Sequence, residues 1–454
     1  MKLRELFGSV TISPSRDRRS HHACIETLES RIAPANISVT VIGHLLKIVA
    51  DNDNNSITID GSATDTMQFQ VSSGSDTLNH LNAPFIATGI TDISVKLLGG
   101  KDDITFTDTN PIFLHGSLTI NGGTGDNTVN TASLLVGKNL TIHNGLGKDT
   151  NSLNDLNVHG SVLINDGSGG SVSNLLRTSS GGSLIGGNLT IINGVGADQT
   201  TIGDTDVGGN LTVASGAPDA GNDAGFTTIL NLGFKSGQSL YRRNIDLSFN
   251  GGIGTAELDD AVVSGNLTFA YGATGSFTTT IDSILGNLPV AVHGNVTLTS
   301  GGVFGDPLKI GVTGQKLGLH VNKNFTVTTG AGQDSLTIAK LQVGGNTSIN
   351  TGLGADQLTL DDSTFEGTFQ LNLGTHDSDN FILENQTGTT LPTIFEKPVT
   401  IHFGGGGLLE DTGTSDDGEE LRVWDTFVVH GHVTHIDGTT HEVFPFGNTI
   451  VFES

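Results

Sequence analysis

A phrase of about 22 residues recurs along most of this 454-residue chain, and it limits the possible folds more than any other feature. The phrase is an apolar residue, then any residue, then Gly-Asn-Leu-Thr-Ile or a close variant. Its glycine position falls at Gly116, Lys138, Gly160, Gly187, Gly209, Arg243, Gly265, Gly294, Lys323, Gly345 and Gly367. Most steps are 22 residues, and the longer steps of 27, 29 and 34 residues are typical of loops inserted into a repeat protein.

Apolar and polar residues alternate within each repeat. The side chain two residues before the glycine position is apolar in every repeat, and so is the one four residues after it, as in Ile120, Ile142 and Ile164. Alternation of period two with many β-branched residues predicts short strands with one buried face. One repeat must order its backbone at roughly 1–2 kcal/mol per residue, and it buries only a few side chains at about 1.5–3 kcal/mol each. The repeats must therefore stack on one another in order to fold.

The residue after the glycine position is Asn in most repeats and Ser or Thr in the others. Asparagine tolerates left-handed backbone, and its amide can donate and accept hydrogen bonds along a stack. An Asn ladder beside a turn glycine resembles the right-handed parallel β-helices over most of the chain length. The resemblance implies an all-β, right-handed parallel β-helix with about 22 residues per coil. The Asn-Leu-Thr triplets also match a glycosylation acceptor, but their periodic placement explains them without any modification.

Residues 1–35 differ from the repeats. Of the 21 Lys and Arg residues, this segment carries Lys2, Arg4, Arg16, Arg18, Arg19 and Arg31. It then contains Leu28-Glu29-x-Arg31-x-x-Pro34-Ala35, which is similar to the leaders of large bacterial extracellular β-strand-repeat proteins with pectin-lyase-like or adhesin-like solenoids. The resemblance implies a secreted or cell-surface location. A frayed basic N-terminus or a short amphipathic helix is the alternative, because the apolar centre of an ordinary signal peptide is missing.

We therefore expect three regions. Residues 1–35 would be a basic leader or disordered segment, and residues 36–408 would form the β-helix together with N-terminal cap strands. Residues 409–454 would form an acidic loop followed by a C-terminal rung or cap. Such a cap would cover the last coil, whose open edge otherwise exposes unpaired backbone groups.

The charge composition restricts the partners. The net charge is −26, although only 15% of the residues are charged, so the surface must be largely Ser, Thr, Asn and Gly. We expect no nucleic-acid or anionic-membrane partner, because both need clusters of Lys and Arg. Cations, neutral glycans and surface proteins are compatible with this balance. Because Cys24 is the single cysteine, internal disulfides and a Cys-based zinc site are excluded. The sequence contains no run of 18 apolar residues, so we expect no membrane-spanning segment.

Gly-x-Gly-x-Asp recurs eleven residues after the glycine position and ends at Asp149, Asp198, Asp334 and Asp356, while Asp126 lies one residue earlier in its own repeat. The motif resembles part of the calcium-binding nonapeptide repeat, but it comes once per coil instead of every nine residues. Stacked carboxylates about 4.8 Å apart repel by roughly 3–4 kcal/mol at an effective dielectric constant of 20. Either these carboxylates are solvated at turns and accept from their own backbone amides, or calcium binds at one or more of these five aspartates.

A second set of aspartates recurs 17 residues after the glycine position. It comprises Asp155, Asp204, Asp260, Asp282 and Asp362. Many β-helix proteins cleave polysaccharides with clustered carboxylates, and glycoside hydrolysis needs two of them at a fixed separation. Recurrence from coil to coil favours a role in the turns, because a catalytic site would interrupt the pattern instead of repeating it.

Four histidines lie within twelve residues near the C-terminus, at His430, His432, His435 and His441. A His-x-His pair on a strand places both rings on one face, as a metal site would need. However, His432 occupies the position of the Asn ladder, so a degenerate terminal coil explains the run equally well.

These observations predict an exported, surface-associated structural or adhesion protein that binds glycans or a surface protein and, as one alternative, calcium. The runner-up is a polysaccharide-degrading β-helix enzyme, either a lyase or a hydrolase. We predict no catalytic residues, because no Arg or Lys lies in a convincing position beside the recurring acids. The sequence leaves the oligomeric state open.

Overall fold

The computed structural model describes residues 36–107, 112–176, 183–216, 227–232, 239–251, 253–273, 276–283, 289–302, 305, 307–311, 318–374, 379–383, 393–411, 422–423, 427–437 and 450–453. The chain divides into two compact units, Met1–Pro34 and Ala35–Ser454, and the described residues all belong to the second. The expected leader and most of the acidic loop lie outside the described residues, so the three-region division stays a prediction.

The repeats form three columns of short parallel strands. The first sheet contains the strands Leu45–Val49, Asp92–Lys96, Leu118–Asn121, Leu140–His143, Val162–Asn165, Leu189–Asn193, Leu211–Ser215, Ile245–Phe249, Leu267–Tyr271, Val296–Ser300, Phe325–Thr328, Thr347–Asn350, Phe369–Asn372, Val399–Asp411, Phe427–Asp437 and Ile450–Glu453. The second contains Ser56–Gly61, Asp103–Phe106, Thr128–Ala132, Thr150–Asn154, Val172–Leu176, Gln199–Gly203, Thr227–Leu232, Ile253–Asp259, Ser276–Asp282, Leu308–Ile310, Ser335–Ala339, Gln357–Asp361 and Asp379–Leu383.

The third sheet has 13 strands. They are Ile112–Leu114, Leu134–Val136, Asn157–Val158, Ser183–Ile185, Thr205–Val207, Ser239–Tyr241, Ala261–Val263, Val290–Val292, Leu319–Val321, Gln342–Val343, Thr364–Phe365, Ile394–Phe395 and Arg422–Val423. No helix among the described residues is long and apolar enough to cross a membrane.

The strand register confirms the predicted parallel β-helix. Ile120 is the Cα partner of Ile142, which is in turn the partner of Ile164, so equivalent side chains lie directly above one another at a step of 22 residues. The 34-residue step keeps the same register, because Val207 still pairs with Tyr241. The extra residues of the long steps are therefore accommodated between strands and do not change the stack.

The N-terminal part adds antiparallel pairs that the sequence pattern did not predict. Strand Asn36–Ile42 runs antiparallel to Leu45–Val49 of the first sheet. Strand Phe69–Ser73 lies antiparallel to Ser56–Gly61 of the second sheet on one side and to Phe85–Ala87 on the other. Ile57 of Ser56–Gly61 also pairs in parallel with Ile104, so this strand belongs to the stack itself.

The first and second sheets merge near the C-terminal end. Val399–Asp411 is one strand of 13 residues. Its beginning pairs with Phe369–Asn372 of the first sheet, and its end pairs with Asp379–Leu383 of the second. Val399 is the partner of Phe369 and Ile401 that of Leu371, so this strand continues the stack by one more coil.

The inward-facing residues form one continuous apolar core along the stack. Aromatic rings fill it at two levels: Tyr271 stacks on Phe277 with 4.6 Å between ring centroids, and Phe365 stacks on Phe395 at 5.2 Å. The coils contribute equivalent buried positions, and each coil packs only against the coils before and after it. The stability of the core therefore depends on contacts between neighbouring coils.

Glycines at the turn between the first and second sheets allow the coils to approach closely. A Cβ atom on Gly145 would lie 1.5 Å from the carbonyl oxygen of Gly123, and one on Gly194 would lie 1.0 Å from that of Gly167. These distances are far inside van der Waals contact, so the recurring glycine is required by backbone packing between successive turns.

Candidate functional site

The predicted calcium residues do not all face the same way. Asp149, Asp198, Asp334 and Asp356 are buried inside the stack, with exposures of 2% or less, whereas Asp126 is exposed. In the coil of Asp126 the inward position belongs to its neighbour Asn127. Asp126 therefore lies on the exposed side, where it accepts from the backbone N–H of Lys148 at 2.7 Å, whereas Asp149 lies inside. The buried residues form what we call the aspartate column. Its described members are Asn55, Asp102, Asn127, Asp149, Ser171, Asp198, Asp334, Asp356 and Asp379.

Five carboxylates of the aspartate column, those of Asp102, Asp149, Asp198, Asp356 and Asp379, accept a backbone N–H from the coil that precedes them. The backbone N–H of Asn127 donates to Asp149 Oδ1 at 3.0 Å, and that of Ser171 donates to Asp198 Oδ1 at 2.9 Å. The backbone N–H of Asp334 donates in the same way to Asp356 Oδ1. The expected solvated turn is therefore wrong for these residues, since they are buried and accept from a neighbouring coil.

Neutral residues separate the charges in the N-terminal half of the column. Asn127 lies between Asp102 and Asp149, and Ser171 lies between Asp149 and Asp198. Two coils put the carboxylates roughly 10 Å apart, which halves their repulsion to about 1.7 kcal/mol at an effective dielectric constant of 20. In the C-terminal half, Asp334, Asp356 and Asp379 instead occupy consecutive coils.

In the N-terminal half of the aspartate column, one oxygen of each carboxylate accepts no hydrogen bond from the described residues. The atoms Asp102 Oδ2, Asp149 Oδ2 and Asp198 Oδ2 are buried without a hydrogen-bond partner among the described residues. Burial raises the pKa of Asp149 to about 6 and that of Asp198 to about 6, against the hydrogen bonds that each carboxylate accepts. Asp149 and Asp198 therefore remain protonated at pH values well above the normal titration range of aspartate.

A buried polar cluster lies beside the column. Asp166 Oδ1 accepts from Asn144 Nδ2 at 2.8 Å and from Asn151 Nδ2 at 2.9 Å, and Asp166 Oδ2 accepts from the Ser173 hydroxyl at 3.0 Å. Burial raises the pKa of Asp166, in opposition to these bonds. Sequence reasoning missed this cluster. The available signal was a break in the apolar alternation, because Asn151 and Ser173 occupy the inward position that Val129 holds in the preceding coil.

The geometry adds no support for a bound metal ion. Calcium takes six to eight oxygen ligands, and the described residues contain no group of three or more His, Cys, Asp or Glu side chains arranged to hold a metal ion. Calcium at Asp126, Asp149, Asp198, Asp334 or Asp356 stays a prediction. The strand Phe427–Asp437 contains His430, His432 and His435. His441 lies outside the described residues, and the metal alternative for this run also stays a prediction.

The second aspartate set lies at a left-handed corner. Asp155, Asp204, Asp260 and Asp362 have φ between 43° and 49°, and Ser133 and Lys340 have φ of 57° and 55° at the same corner of other coils. Asp and Asn adopt this conformation at less cost than most residues. Asp282 differs, because the register pairs it with Asp259. The left-handed backbone at this corner thus explains why aspartate recurs at four of the five positions.

The Asn ladder lies at the exposed corner between the third and first sheets. Asn188 Oδ1 accepts from the backbone N–H of Asn210 at 2.9 Å, and Asn244 Oδ1 accepts from that of Asn266 at 2.9 Å. Ser161 continues the ladder with its hydroxyl, which accepts from the backbone N–H of Asn188 at 3.1 Å. The predicted ladder is confirmed, with side-chain oxygens bonding backbone amides of the next coil.

We define the asparagine corner as residues 115–117, 137–139, 159–161, 186–188, 208–210, 242–244, 264–266, 293–295 and 322–324. The exposed side chains of Lys138, Arg242, Arg243 and Lys323 lie on it. The ladder continues beyond these coils at both ends: Asp92 Oδ1 accepts from the backbone N–H of Ser117 at 2.8 Å, and Asn346 Oδ1 accepts from that of Thr368, whose coil carries Glu366.

The outer face of the first sheet is the other long, regular surface. Its outward positions carry Thr119, Thr141, Leu163, Thr190, Thr212, Asp246, Thr268, Thr297, Thr326, Ser348 and Gln370 in one row, aligned coil upon coil. Asp246 is the only acid in this row. This row therefore offers mostly hydroxyl groups at the spacing of the strands, about 4.8 Å.

The chain was compared with known proteins by sequence and by structure. No family model, no curated protein and no solved structure matches it.

Proposed function

We propose that this chain is an exported, surface-associated adhesion or structural protein that binds neutral glycans through the outer face of the first sheet. The observation that carries the proposal is a row on that face in which eight of eleven side chains are Thr or Ser, in a chain whose net charge is −26. Thr268, Thr297 and Thr326 are successive members of this row. Hydroxyl groups can both donate to and accept from sugar hydroxyls without requiring a charge on the ligand.

Repetition supports binding in preference to catalysis. Equivalent weak contacts along a row bind a polymer more tightly together than each would alone, because every further contact forms within an already bound complex. The recurring acids have other roles, since the aspartate column is buried and Asp155 and Asp204 lie at a left-handed corner. Export is supported by the resemblance of residues 28–35 to bacterial leaders.

Affinity electrophoresis in gels that contain neutral polysaccharides would test the proposal. We expect retardation of the wild-type chain, weaker retardation of a Thr212→Asp, Thr297→Asp variant, and unchanged retardation of Thr201→Asp, Thr337→Asp. The control residues are also outward-facing, but they lie on the second sheet. Equal losses in both variants, or no retardation in any of the gels, would contradict glycan binding by this face.

Activity and location need separate measurements. Incubation with the same polysaccharides should release neither reducing ends nor unsaturated sugars, and fractionation of producing cells should place the chain outside the cytoplasm. Released products would favour the enzymatic alternative, and an exclusively cytoplasmic chain would contradict a role at the cell surface.

A further inference from the structure

The outward row of the third sheet is mostly apolar. Each strand points one side chain outward, and the register aligns these side chains coil upon coil. Over the first twelve strands the row is Phe113, Leu135, Asn157, Leu184, Asp206, Leu240, Val262, Ala291, His320, Gln342, Thr364 and Ile394. Seven of these twelve side chains are apolar, whereas Leu163 is the one apolar member of the Thr-rich row on the first sheet.

Solvent reaches this row along its whole described length. All twelve side chains are half-buried or exposed, and Leu184 is 41% exposed. A long, mostly apolar surface strip is a mark of an interaction surface. Its members repeat at the strand spacing of about 4.8 Å, so a partner matches the whole row only if it has the same spacing. A second copy of this chain necessarily has that spacing.

We infer that the outward face of the third sheet packs against the same face of a second copy, with the two solenoids antiparallel and a two-fold axis at Val262. Such an interface is isologous. Ala261–Val263 is the seventh of the 13 strands, so an axis through it opposes every strand of one copy with a strand of the other.

The size of the face is sufficient for a dimer. A face of 13 strands, each three residues wide at most, covers roughly 580 Å² in each copy, given the strand spacing and the rise per residue. The two faces together then slightly exceed the area of about 1,000 Å² that a specific interface needs. The net charge of −26 on each copy opposes association, so we expect a weak dimer that raised salt strengthens by screening.

The antiparallel arrangement opposes chemically matched side chains. Five pairs of described side chains flank the axis: Leu240 with Ala291, Asp206 with His320, Leu184 with Gln342, Asn157 with Thr364, and Leu135 with Ile394. Four of these pairs match in polarity, and the exception is Leu184 with Gln342. A parallel dimer would instead oppose each residue with its own copy and bring two Asp206 carboxylates together, which repel each other. In the antiparallel register the His320 imidazole can donate to that carboxylate.

Sedimentation velocity from micromolar to submillimolar concentration tests the dimer. We expect a monomer–dimer equilibrium that shifts towards the dimer when NaCl is raised, whereas an ionic contact would weaken. The Leu240→Asn, Val262→Asn variant should raise the dimer Kd at least tenfold, because it removes apolar side chains from the centre of the interface. The matched control, Leu163→Asn, Ile192→Asn, changes outward apolar residues of the first sheet and should associate like the wild type. Circular dichroism melting verifies that both variants fold.

Cysteine cross-linking in a Cys24→Ser background tests the register. With a short bismaleimide, Val262→Cys chains should form covalent dimers, and Ala270→Cys chains, changed on the first sheet, should not. In a mixture, Leu240→Cys chains and Ala291→Cys chains should link to each other faster than either links to itself.

Three outcomes would overturn the inference: a monomer at every concentration, equal weakening in both double variants, or faster linking of Ala291→Cys chains to themselves than to Leu240→Cys chains. The proposed function has a separate readout, because retardation by neutral polysaccharides depends on the face of Thr212 and Thr297. A chain that is retarded but stays monomeric would keep the proposed function and lose this inference alone.

Discussion

The backbone N–H of Asn127 donates a 3.0 Å hydrogen bond to Oδ1 of Asp149, which lies 22 residues further along the chain. The donor and acceptor belong to successive coils, and both residues are buried, with exposures of 2% and 0%. A side chain inside the stack thus replaces the backbone carbonyl as an acceptor at the turn between the first and second sheets.

Replacement of Asp149 by Ala should destabilise the fold by about 1–3 kcal/mol, because it leaves the buried N–H of Asn127 without its acceptor. Urea unfolding at pH 5 would measure the loss. Asp149→Asn retains an oxygen at the same position and should lose much less. Asp126→Asn changes an exposed neighbour and should stay within about 0.5 kcal/mol of the wild type. Equal stability of Asp149→Ala and the wild type would contradict a structural role for this bond.

Stability should fall as the pH rises from about 4 to about 6.5. The pKa of Asp149 and that of Asp198 are about 6 in the folded chain and lie above the ordinary aspartate value of 3.8, because burial disfavours the carboxylate. The folded state therefore binds more protons than the unfolded state within this window, and its advantage is lost as the pH passes through the folded pKa. Urea midpoints at half-unit pH intervals would show the slope.

A variant with Asp149→Asn and Asp198→Asn provides the control for that slope. It cannot ionise at either position, so its urea midpoint should change less between pH 4 and pH 6.5 than that of the wild type. Above pH 7 it should be the more stable chain. If the two curves stay parallel over the whole range, other groups are responsible for the pH dependence.

Gly194→Ala should be among the most damaging single substitutions, because its Cβ would lie 1.0 Å from the Gly167 carbonyl oxygen. The coils would have to separate locally, at a cost that we expect to exceed about 3 kcal/mol. Thermal melting followed by circular dichroism would measure it. Gly74→Ala offers a matched control, since a Cβ there meets no atom within 4 Å, and it should melt close to the wild type.

The left-handed corner gives a prediction about backbone conformation. Asp204 has φ of 48°, so Asp204→Val should cost about 1–2 kcal/mol, because a β-branched residue is strained in that region. Asp204→Asn should be nearly neutral, and Asp204→Gly should be tolerated in the same way. Denaturant midpoints would rank the three variants. A valine variant as stable as the asparagine variant would contradict the conformational explanation.

The sequence predicts the stack well, because the period of 22 residues and the alternation of period two are properties of the chain itself. The sequence alone places Ile120, Ile142 and Ile164 in one row, and the strand register of the structure confirms that placement. The antiparallel pairing of Phe69–Ser73 could not be predicted, since it falls where the repeat is weakest and depends on which neighbouring strands it meets.

The candidate sites were predicted less well for a physical reason. In a strand, neighbouring residues face opposite sides, so a shift of one position exchanges the interior for solvent. Asp126 and Asn127 differ by this single position: Asp126 was included for its carboxylate, although the motif position of Asp149 corresponds to Asn127.

The two side-chain ladders run in opposite senses. Along the exposed corner the acceptor belongs to the earlier coil, as when Asn188 accepts from Asn210, whereas inside the stack it belongs to the later coil, as when Asp149 accepts from Asn127. A coil added at the C-terminal end of the stack can therefore donate to an asparagine oxygen, and a coil added at the N-terminal end can donate to an aspartate oxygen. We therefore expect that folding of the solenoid has no obligatory starting terminus and that a nucleus formed in the middle lengthens in both directions.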